Sequence, residues 1–250
     1  MMDVYWLEQA ASEVPAHDKW LSAKDAAFLA GLRFAKRRAD WRLGRWTAKR
    51  ALAIYWNIPS DPKTLAEIEI RPEPSGAPQA FLADKPADVA ISLSHRSGVA
   101  GCAIAMSGAL LGFDLEVAEC RSETFVSDYF TTEEQDLITR VDAADRSQLI
   151  ALLWSAKESA LKALRTGLRL DTRSVIVSPL AQDQGDDEPG DTRERILFSR
   201  LACTLDSWYP LHLRCADGQV FQGWWQHTGS FLRTLVAAPG PARPTLLRSS

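Results

Sequence analysis

The stretch from Val89 to Glu116 constrains this chain most. Two apolar runs, Val89 to Ser94 and Val99 to Ala105, flank the polar turn His95-Arg96-Ser97-Gly98, and a third run, Leu110 to Glu116, follows after a short break. Short apolar runs bounded by turn residues read as buried strands. The third contains Gly112-Phe113-Asp114-Leu115-Glu116, and side chains two apart on a strand share a face, so Asp114 and Glu116 point the same way. Further on, Trp154-Ser155-Ala156-Lys157-Glu158-Ser159-Ala160-Leu161-Lys162 reads as helix, which puts Glu158 and Lys162 on one face. Three carboxylates and an ammonium can then meet in one pocket. Gathered like charges are costly unless something positive sits among them, and a hard, oxygen-seeking cation such as Mg²⁺ with a phosphate beyond it suits the set. That pattern points to phosphoryl chemistry. Each element alone also reads blandly: Asp-x-Glu as a solvated pair, Glu158 with Lys162 as an exposed helix salt bridge, His95 as a turn residue.

Composition bounds the rest. With 250 residues, 46% apolar and 24% charged, the chain can bury a substantial core as one large domain or two small ones. Its net charge of -3 argues against a general nucleic-acid binder. Cys102, Cys120, Cys203 and Cys215 are scattered, with no C-x-x-C pair, which suggests reduced thiols and neither zinc site nor disulfide framework. The N-terminus lacks a signal-peptide pattern, and no apolar run is long enough to span a bilayer, so cytoplasmic residence without membrane association is expected.

Leu21 to about Trp56 reads as helix with one interruption, Ser22 being a plausible N-cap. Its second half is basic: Lys36, Arg37, Arg38, Arg42, Arg45, Lys49 and Arg50 alternate with Trp41, Leu43, Trp46 and Leu52. Such a face is either a solvated surface or a cradle for an anion. Pro59 to Pro78 should hold one strand, around Ile68 and Ile70, between loops. Thr131 or Thr132 followed by Glu133-Glu134-Gln135 looks like a capping box, and Gln148 to Leu164 like a helix stopped by Gly167. Asp183 to Glu194 reads as a mobile loop, and Ile196 to Val236 as strands with a hairpin at Asp217-Gly218. An internal echo joins Trp46-Thr47-Ala48-Lys49 to Trp154-Ser155-Ala156-Lys157. It suggests two similar halves, 1–108 and 109–238, with a ligand cleft between them and a disordered tail over 239–250.

The order of these motifs resembles the phosphopantetheinyl transferases in their long, two-half (surfactin-type) form. The family's S-x-S-H, G-[IVF]-D-[IL]-E and W-[ST]-x-K-E-[SA]-x-x-K are matched by Ser92-Leu93-Ser94-His95, Gly112-Phe113-Asp114-Leu115-Glu116 and Trp154 to Lys162. The resemblance implies an α+β fold of two similar halves related by a pseudo-twofold, each a small, mostly antiparallel sheet with a long helix. It implies an enzyme of the holo-[acyl-carrier-protein] synthase type. Such an enzyme moves the 4′-phosphopantetheine of coenzyme A onto a serine of an apo acyl or peptidyl carrier protein, with Mg²⁺, releasing adenosine 3′,5′-bisphosphate. It also implies a monomer, since two halves supply what short members assemble from subunits.

By that resemblance Asp114 and Glu116 hold the metal, and Glu158 is a third ligand, the general base, or both. Lys162 stabilises the transferring phosphate, Lys157 helps hold the pyrophosphate, and His95 with Ser94 bonds a coenzyme A phosphate. Arg38, Arg45 and Lys49 are the candidates for the 3′-phosphate. The family often carries Gly-Lys-Pro where this chain has Gly76-Ala77-Pro78, so one cation is missing, with Arg71 or Lys85 as possible substitutes. Phe125, Tyr129 and Phe130, between Cys120 and Leu137, are expected to face the carrier unless they pack in the core. Two other readings share the motifs: a non-catalytic module that binds coenzyme A or a carrier, and a Mg²⁺-dependent pyrophosphate hydrolase.

Overall fold

The structure is a computed structural model that describes residues 1–179 and 205–248, so the loop expected at 183–194 and Cys203 lie outside the described residues. It is α+β. The N-terminal half runs β1 (Val4–Ala10), α1 (Ala23–Gly31), α2 (Ala35–Tyr55), α3 (Pro62–Glu67), β2 (Ile68–Pro72), β3 (Pro78–Leu82), β4 (Lys85–Pro86), β5 (Val89–Arg96) and β6 (Val99–Met106). The C-terminal half runs β7 (Leu110–Val117), α4 (Glu123–Tyr129), α5 (Thr132–Arg140), α6 (Arg146–Ala163), β8 (Val175–Ser178), β9 (Leu205–Cys215), β10 (Val220–Thr228) and β11 (Phe231–Ala238), followed by β12 (Thr245–Leu246). No helix among the described residues is long and apolar enough to cross a membrane.

Local signals account for most boundaries. Ser22 caps α1 by accepting from Asp25 N at 3.1 Å, and Thr131 caps α5 by accepting from Glu134 N at 3.3 Å, each in a capping box. The helix α3 was not expected; Asp61 caps it and Pro62 opens it, the usual place for a residue without an N–H. The end of α6 also differs from expectation. Arg165, not Gly167, takes the first left-handed position (φ 58°), with Thr166 N bonded to Leu161 O at 3.1 Å and Arg165 N to Lys162 O at 3.0 Å. That is a Schellman closure, usually completed by glycine.

Two sheets carry the fold, in the orders β12-β1-β6-β5 and β7-β11-β10-β9-β8, with a small sheet β2-β3-β4 beside the first. α2 covers the first sheet, burying Leu52, Ala48 and Trp46 against Ile91, Cys102 and Ile104. α6 covers the second, burying Leu149, Leu153 and Leu161 with Leu213, Trp225 and Val236. A third core, including Val4, Trp6, Phe113, Leu115, Trp208 and Leu235, joins the sheets. Their end strands β5 and β7 meet, with Phe113 N bonded to Ser92 Oγ at 2.9 Å. α6 lies so close to β7 that a Cβ on Gly112 would fall 1.7 Å from Ser159 O, which explains the glycine that opens the Asp114 motif.

The sequence echo has a physical counterpart. Lys49 is fully buried, pairs with the capping-box acid Asp25 at 2.6 Å, and donates to the carbonyls of Trp20 and Leu65. Lys157 is fully buried too, pairs with the capping-box acid Glu134 at 2.8 Å, and donates to the carbonyls of Thr172 and Val175. Each ammonium also lies near an aromatic ring, Trp20 at 5.8 Å and Phe130 at 5.7 Å. In both halves one lysine ties a long helix to the start of the short helix before it.

The segment from Pro239, expected to be disordered, is paired instead. Ala242 N donates to Met2 O at 2.7 Å, Leu247 N donates to Trp6 O at 2.8 Å, and β12 runs parallel to β1. The end of the C-terminal half thus adds a strand to the N-terminal sheet. Beside it Arg233 forks onto Glu8 at 2.6 and 2.7 Å, a largely buried ion pair between the halves.

Candidate functional site

The site forms where β5, β7 and α6 meet, and alternation on the two strands decides what faces what. Ser94 and Arg96 share a face of β5 and meet Asp114 and Glu116 on β7. Ser94 Oγ donates to Asp114 Oδ1 at 2.8 Å, and Arg96 Nε stands 3.3 Å from Glu116 Oε2, with Arg121 at 3.9 Å. From α6, Lys162 Nζ reaches Asp114 Oδ1 at 2.7 Å and Phe113 O at 3.1 Å. Thr234 of β11, paired with Asp114, receives Ser155 and Ser159 of α6 at 2.9 and 2.8 Å between hydroxyls, which locks the register of the helix under the acids.

The electrostatics record a crowded set of negative charge. Burial first, then Asp114, raises the Glu116 carboxyl above its ordinary range, with Arg96 and Arg121 pulling it back. Burial and then Asp114 likewise raise Glu158, against the pull of Lys162, and Glu116 adds to the rise. Asp114 Oδ2 and Glu116 Oε2 are buried without a hydrogen-bond donor. Buried carboxylate oxygens that accept no hydrogen bond are the donors a small hard cation takes, so Asp114, and Glu116 with the Arg96 and Arg121 guanidiniums nearby, fit Mg²⁺ chemically. The fit does not extend to a finished cage, since among the described residues no three His, Cys, Asp or Glu side chains stand close enough to hold an ion. Glu158 feels both acids electrostatically, since Asp114 and Glu116 each raise its pKa.

Several expected site residues lie elsewhere. Lys157 serves the buried pair described above, where burial lowers its pKa against the pull of Glu134, and it does not reach the acids. Lys49 is equally internal. Arg38 donates to the carbonyl of Leu29 at 2.9 Å, closing the end of α1. Arg45 stacks over Trp41 at 5.0 Å and stands 3.8 Å from Asp25. The basic face of α2 is therefore largely spent on its own half, Arg42 included, which holds Asp18 at 2.9 Å and Pro15 O at 2.6 Å. His95 is exposed, and alternation sets it on the other face of β5 from Ser94 and Arg96. Of the aromatic residues, Phe130 is fully buried and belongs to the core, while Tyr129 is 37% exposed and Phe125 half-buried against Trp154 at 5.1 Å.

Arg96, Thr234 and Glu134 were missed in the sequence. Alternation from Ser94 identifies Arg96, but the Thr234 and Glu134 contacts are long-range and leave no local pattern.

A cavity of about 620 Å³ opens beside the acids, between the two halves. One wall is the turn Glu73 to Pro78 with Val89 to Leu93; the other is Ala109, Leu111, Lys162 and the segment Arg165 to Arg169. The acids do not line it. Lys162 and Ser92 connect cavity and acids, since each bonds β7 and also faces the cavity. A smaller cavity of about 430 Å³ shares Gly76 and Pro78 and is lined by Lys24, Arg45 and Arg71 with Asp25 and Glu69. There Arg71 is held by Glu69 and Asp84, while Lys85, the other possible substitute for the missing lysine, lines neither cavity.

Comparison with known proteins bears on this arrangement. Residues 110–201 match the family model of the 4′-phosphopantetheinyl transferase superfamily, named ACPS. No curated protein matches the chain. Among solved structures, a holo-(acyl-carrier-protein) synthase from Bacillus anthracis str. Ames, in complex with CoA (3′,5′-ADP), is 16% identical over 42% of this chain and 95% of its own, with a TM-score of 0.34. The holo-[acyl-carrier-protein] synthase of Thermotoga maritima is 18% identical over 52% of this chain and 76% of its own, with a TM-score of 0.33.

Proposed function

We propose that this chain, whose residues 110–201 match the family model of the 4′-phosphopantetheinyl transferase superfamily, moves the phosphopantetheine arm of coenzyme A onto a serine of an apo acyl or peptidyl carrier protein. The observation that carries the reading is the acid pair Asp114 and Glu116, each with a buried oxygen that accepts no hydrogen bond, linked through Lys162 on Asp114 to a cavity between the halves.

In the reaction the serine oxygen bonds to the β-phosphorus of coenzyme A. The bond from that phosphorus to the oxygen bridging to the α-phosphate breaks, and adenosine 3′,5′-bisphosphate leaves. Asp114 and Glu116 would hold Mg²⁺, which when bound neutralises pyrophosphate charge. Lys162, already at the junction of acids and cavity, meets the transferring phosphate as the charge shifts. Glu158 takes the serine proton: its raised pKa makes it a stronger base than an ordinary carboxylate. Ser94 orients Asp114, and Arg96 partly neutralises Glu116. His95, on the open face of β5, remains available to a phosphate of the incoming nucleotide. Phe125 and Tyr129, with Trp154, offer the carrier a semi-exposed aromatic surface. Monomeric, cytoplasmic action fits a chain that brings both walls of the cleft itself.

The test is transfer of a phosphopantetheine mass to apo carriers from several synthases, in the presence of Mg²⁺ and coenzyme A. Wild type should modify at least one, and Asp114→Ala should modify none while keeping its fold. Failure on every carrier would overturn the proposal, and release of adenosine 3′,5′-bisphosphate without a carrier would mark a hydrolase instead.

A further inference from the structure

Arg96 stands in the site without belonging to any motif of the sequence, and its contacts are uneven. It ends β5, where the chain turns through Ser97 and Gly98, both left-handed (φ 49° and 78°), and Arg96 pairs with Val99 of β6. A two-residue turn of this kind fixes the strand end and with it the origin of the side chain. The guanidinium then faces two carboxylates. Its Nη2 donates to Glu119 Oε2 at 2.7 Å, whereas its Nε stands 3.3 Å from Glu116 Oε2 without donating to it. Both of those last atoms are buried without a hydrogen-bond partner.

Arg121 repeats the pattern. It stands 3.9 Å from the same Glu116 oxygen, and its guanidinium rests over the Phe125 ring at 5.1 Å. Glu116 Oε2 thus looks at two guanidiniums and is bonded by neither. Asp114 is treated differently, because Ser94 and Lys162 both donate to its Oδ1. Exposure sharpens the contrast: the Glu116 side chain is 13% exposed and that of Glu119 is 46%. The Arg96 to Glu119 pair is therefore partly solvated and weak, while the positive field on Glu116 is less screened.

This arrangement leaves Glu116 free to take a cation and opposes the cation that comes. Bringing a doubly charged ion beside two fixed guanidiniums in partly buried surroundings should weaken its binding by about tenfold or more. A polyanion alone is opposed as well, since it meets Asp114, Glu116 and Glu158. Entering together, the two offset each other, and the polyanion is drawn by Arg96, Arg121 and Lys162.

We infer that Arg96, anchored by Glu119, is a positioning residue that denies the acid pair to a bare divalent cation and admits the cation in company with a polyphosphate ligand. Resting on the proposed function, that ligand is the pyrophosphate of coenzyme A. Cation and anion are then coupled, each raising the affinity for the other by the same factor. Glu119 keeps the guanidinium off Glu116; without it the fork of Arg96 closes on the free oxygen and takes the cation's place.

The experiment is calorimetric titration of the full chain by Mg²⁺ alone, by inorganic pyrophosphate alone and by the two premixed, with carrier modification assayed beside it. Wild type should bind the premixed pair about tenfold or more tightly than either component. Arg96→Gln should tighten Mg²⁺ alone by about tenfold and shrink the coupling accordingly. Arg96→Lys, which keeps the charge, should stay near wild type. Glu119→Gln should weaken Mg²⁺ both with and without pyrophosphate. A merely structural role would move Arg96→Gln and Glu119→Gln in the same direction, because each breaks the same ion pair.

The inference is overturned if wild type takes Mg²⁺ alone as tightly as the premixed pair, or if Arg96→Gln does not tighten Mg²⁺. It is overturned equally if Arg96→Lys behaves as Arg96→Gln, if Glu119→Gln tightens Mg²⁺, or if no titration gives heat of binding. Tighter Mg²⁺ binding by Arg96→Gln, in a chain that modifies no carrier, leaves the role of Arg96 standing and removes the proposed transfer. Transfer by wild type, with an Mg²⁺ affinity that Arg96→Gln does not alter, removes the role of Arg96 alone.

Discussion

Replacing Lys157 with Met separates its structural role from a catalytic one. The ammonium is fully buried 2.8 Å from Glu134, itself 2% exposed, and satisfies the carbonyls of Thr172 and Val175. Removing it strands a buried carboxylate and leaves two carbonyls without that donor. Breaking a buried pair on one side costs about 3–5 kcal/mol. For a chain of this size each kcal/mol moves the midpoint about 2–4 °C, so Lys157→Met should lower Tm by about 6–20 °C. Adding Glu134→Gln should recover part of the loss. The charge is then gone from both partners, while the amide oxygen still accepts one of the two backbone donors, Thr131 N and Val177 N, that now bond Glu134. Below the melting range of each variant, the KM for coenzyme A and the kcat of Lys157→Met should match wild type, whereas Lys162→Met should lose transfer. Calorimetric melting with steady-state transfer reads both. A Lys157→Met protein with unchanged Tm and a raised KM would refute the buried-pair reasoning and restore Lys157 to the pyrophosphate.

Glu158→Gln should abolish transfer and raise stability at neutral pH. A carboxyl whose folded pKa is raised favours the fold only while protonated, and that contribution is lost as pH rises through the folded value. The gain in Tm should therefore shrink as the pH is lowered below the ordinary glutamate range. In wild type, transfer should rise with pH as Glu158 ionises, measured as kcat/KM against pH. Gly112→Ala should lose soluble, folded protein, because the new Cβ meets the helix backbone at Ser159 O and the conflict admits no side-chain rearrangement. Circular dichroism and expression yield would show it. Ending the chain after Pro239 should cost about 2–4 kcal/mol in urea unfolding, since Met2 N to Gly240 O, Ala242 N to Met2 O and Leu247 N to Trp6 O disappear together.

Legibility in the sequence tracked the range of the interaction involved. The N-cap at Ser22, the capping box at Thr131 or Thr132, the strands around the His95 turn and the shared face of Asp114 and Glu116 rest on spacings within a few residues; the structure bears them out, with Thr131 as the cap. The helical wheel also separates the two lysines of α6: Lys157 lies about 100° from Glu158, while Lys162 returns to within about 40° of it. Helical spacing alone therefore sets Lys162, and not Lys157, beside Glu158. The tail after Pro239 was misjudged because composition describes the segment and not the sheet edge it meets.

Periods, caps and the order of the motifs are local properties of the chain, and with them come the acids on one face of β7. Which cations reach the cavity depends on how distant segments pack. Lys49, Lys157 and Arg38 are absorbed by carboxylates and carbonyls brought close by the fold, while Arg165 and Arg169 are turned across the cleft toward Glu73 and Ser75. A cation's availability depends on partners distant in the chain, and burial decides how strongly those partners hold it.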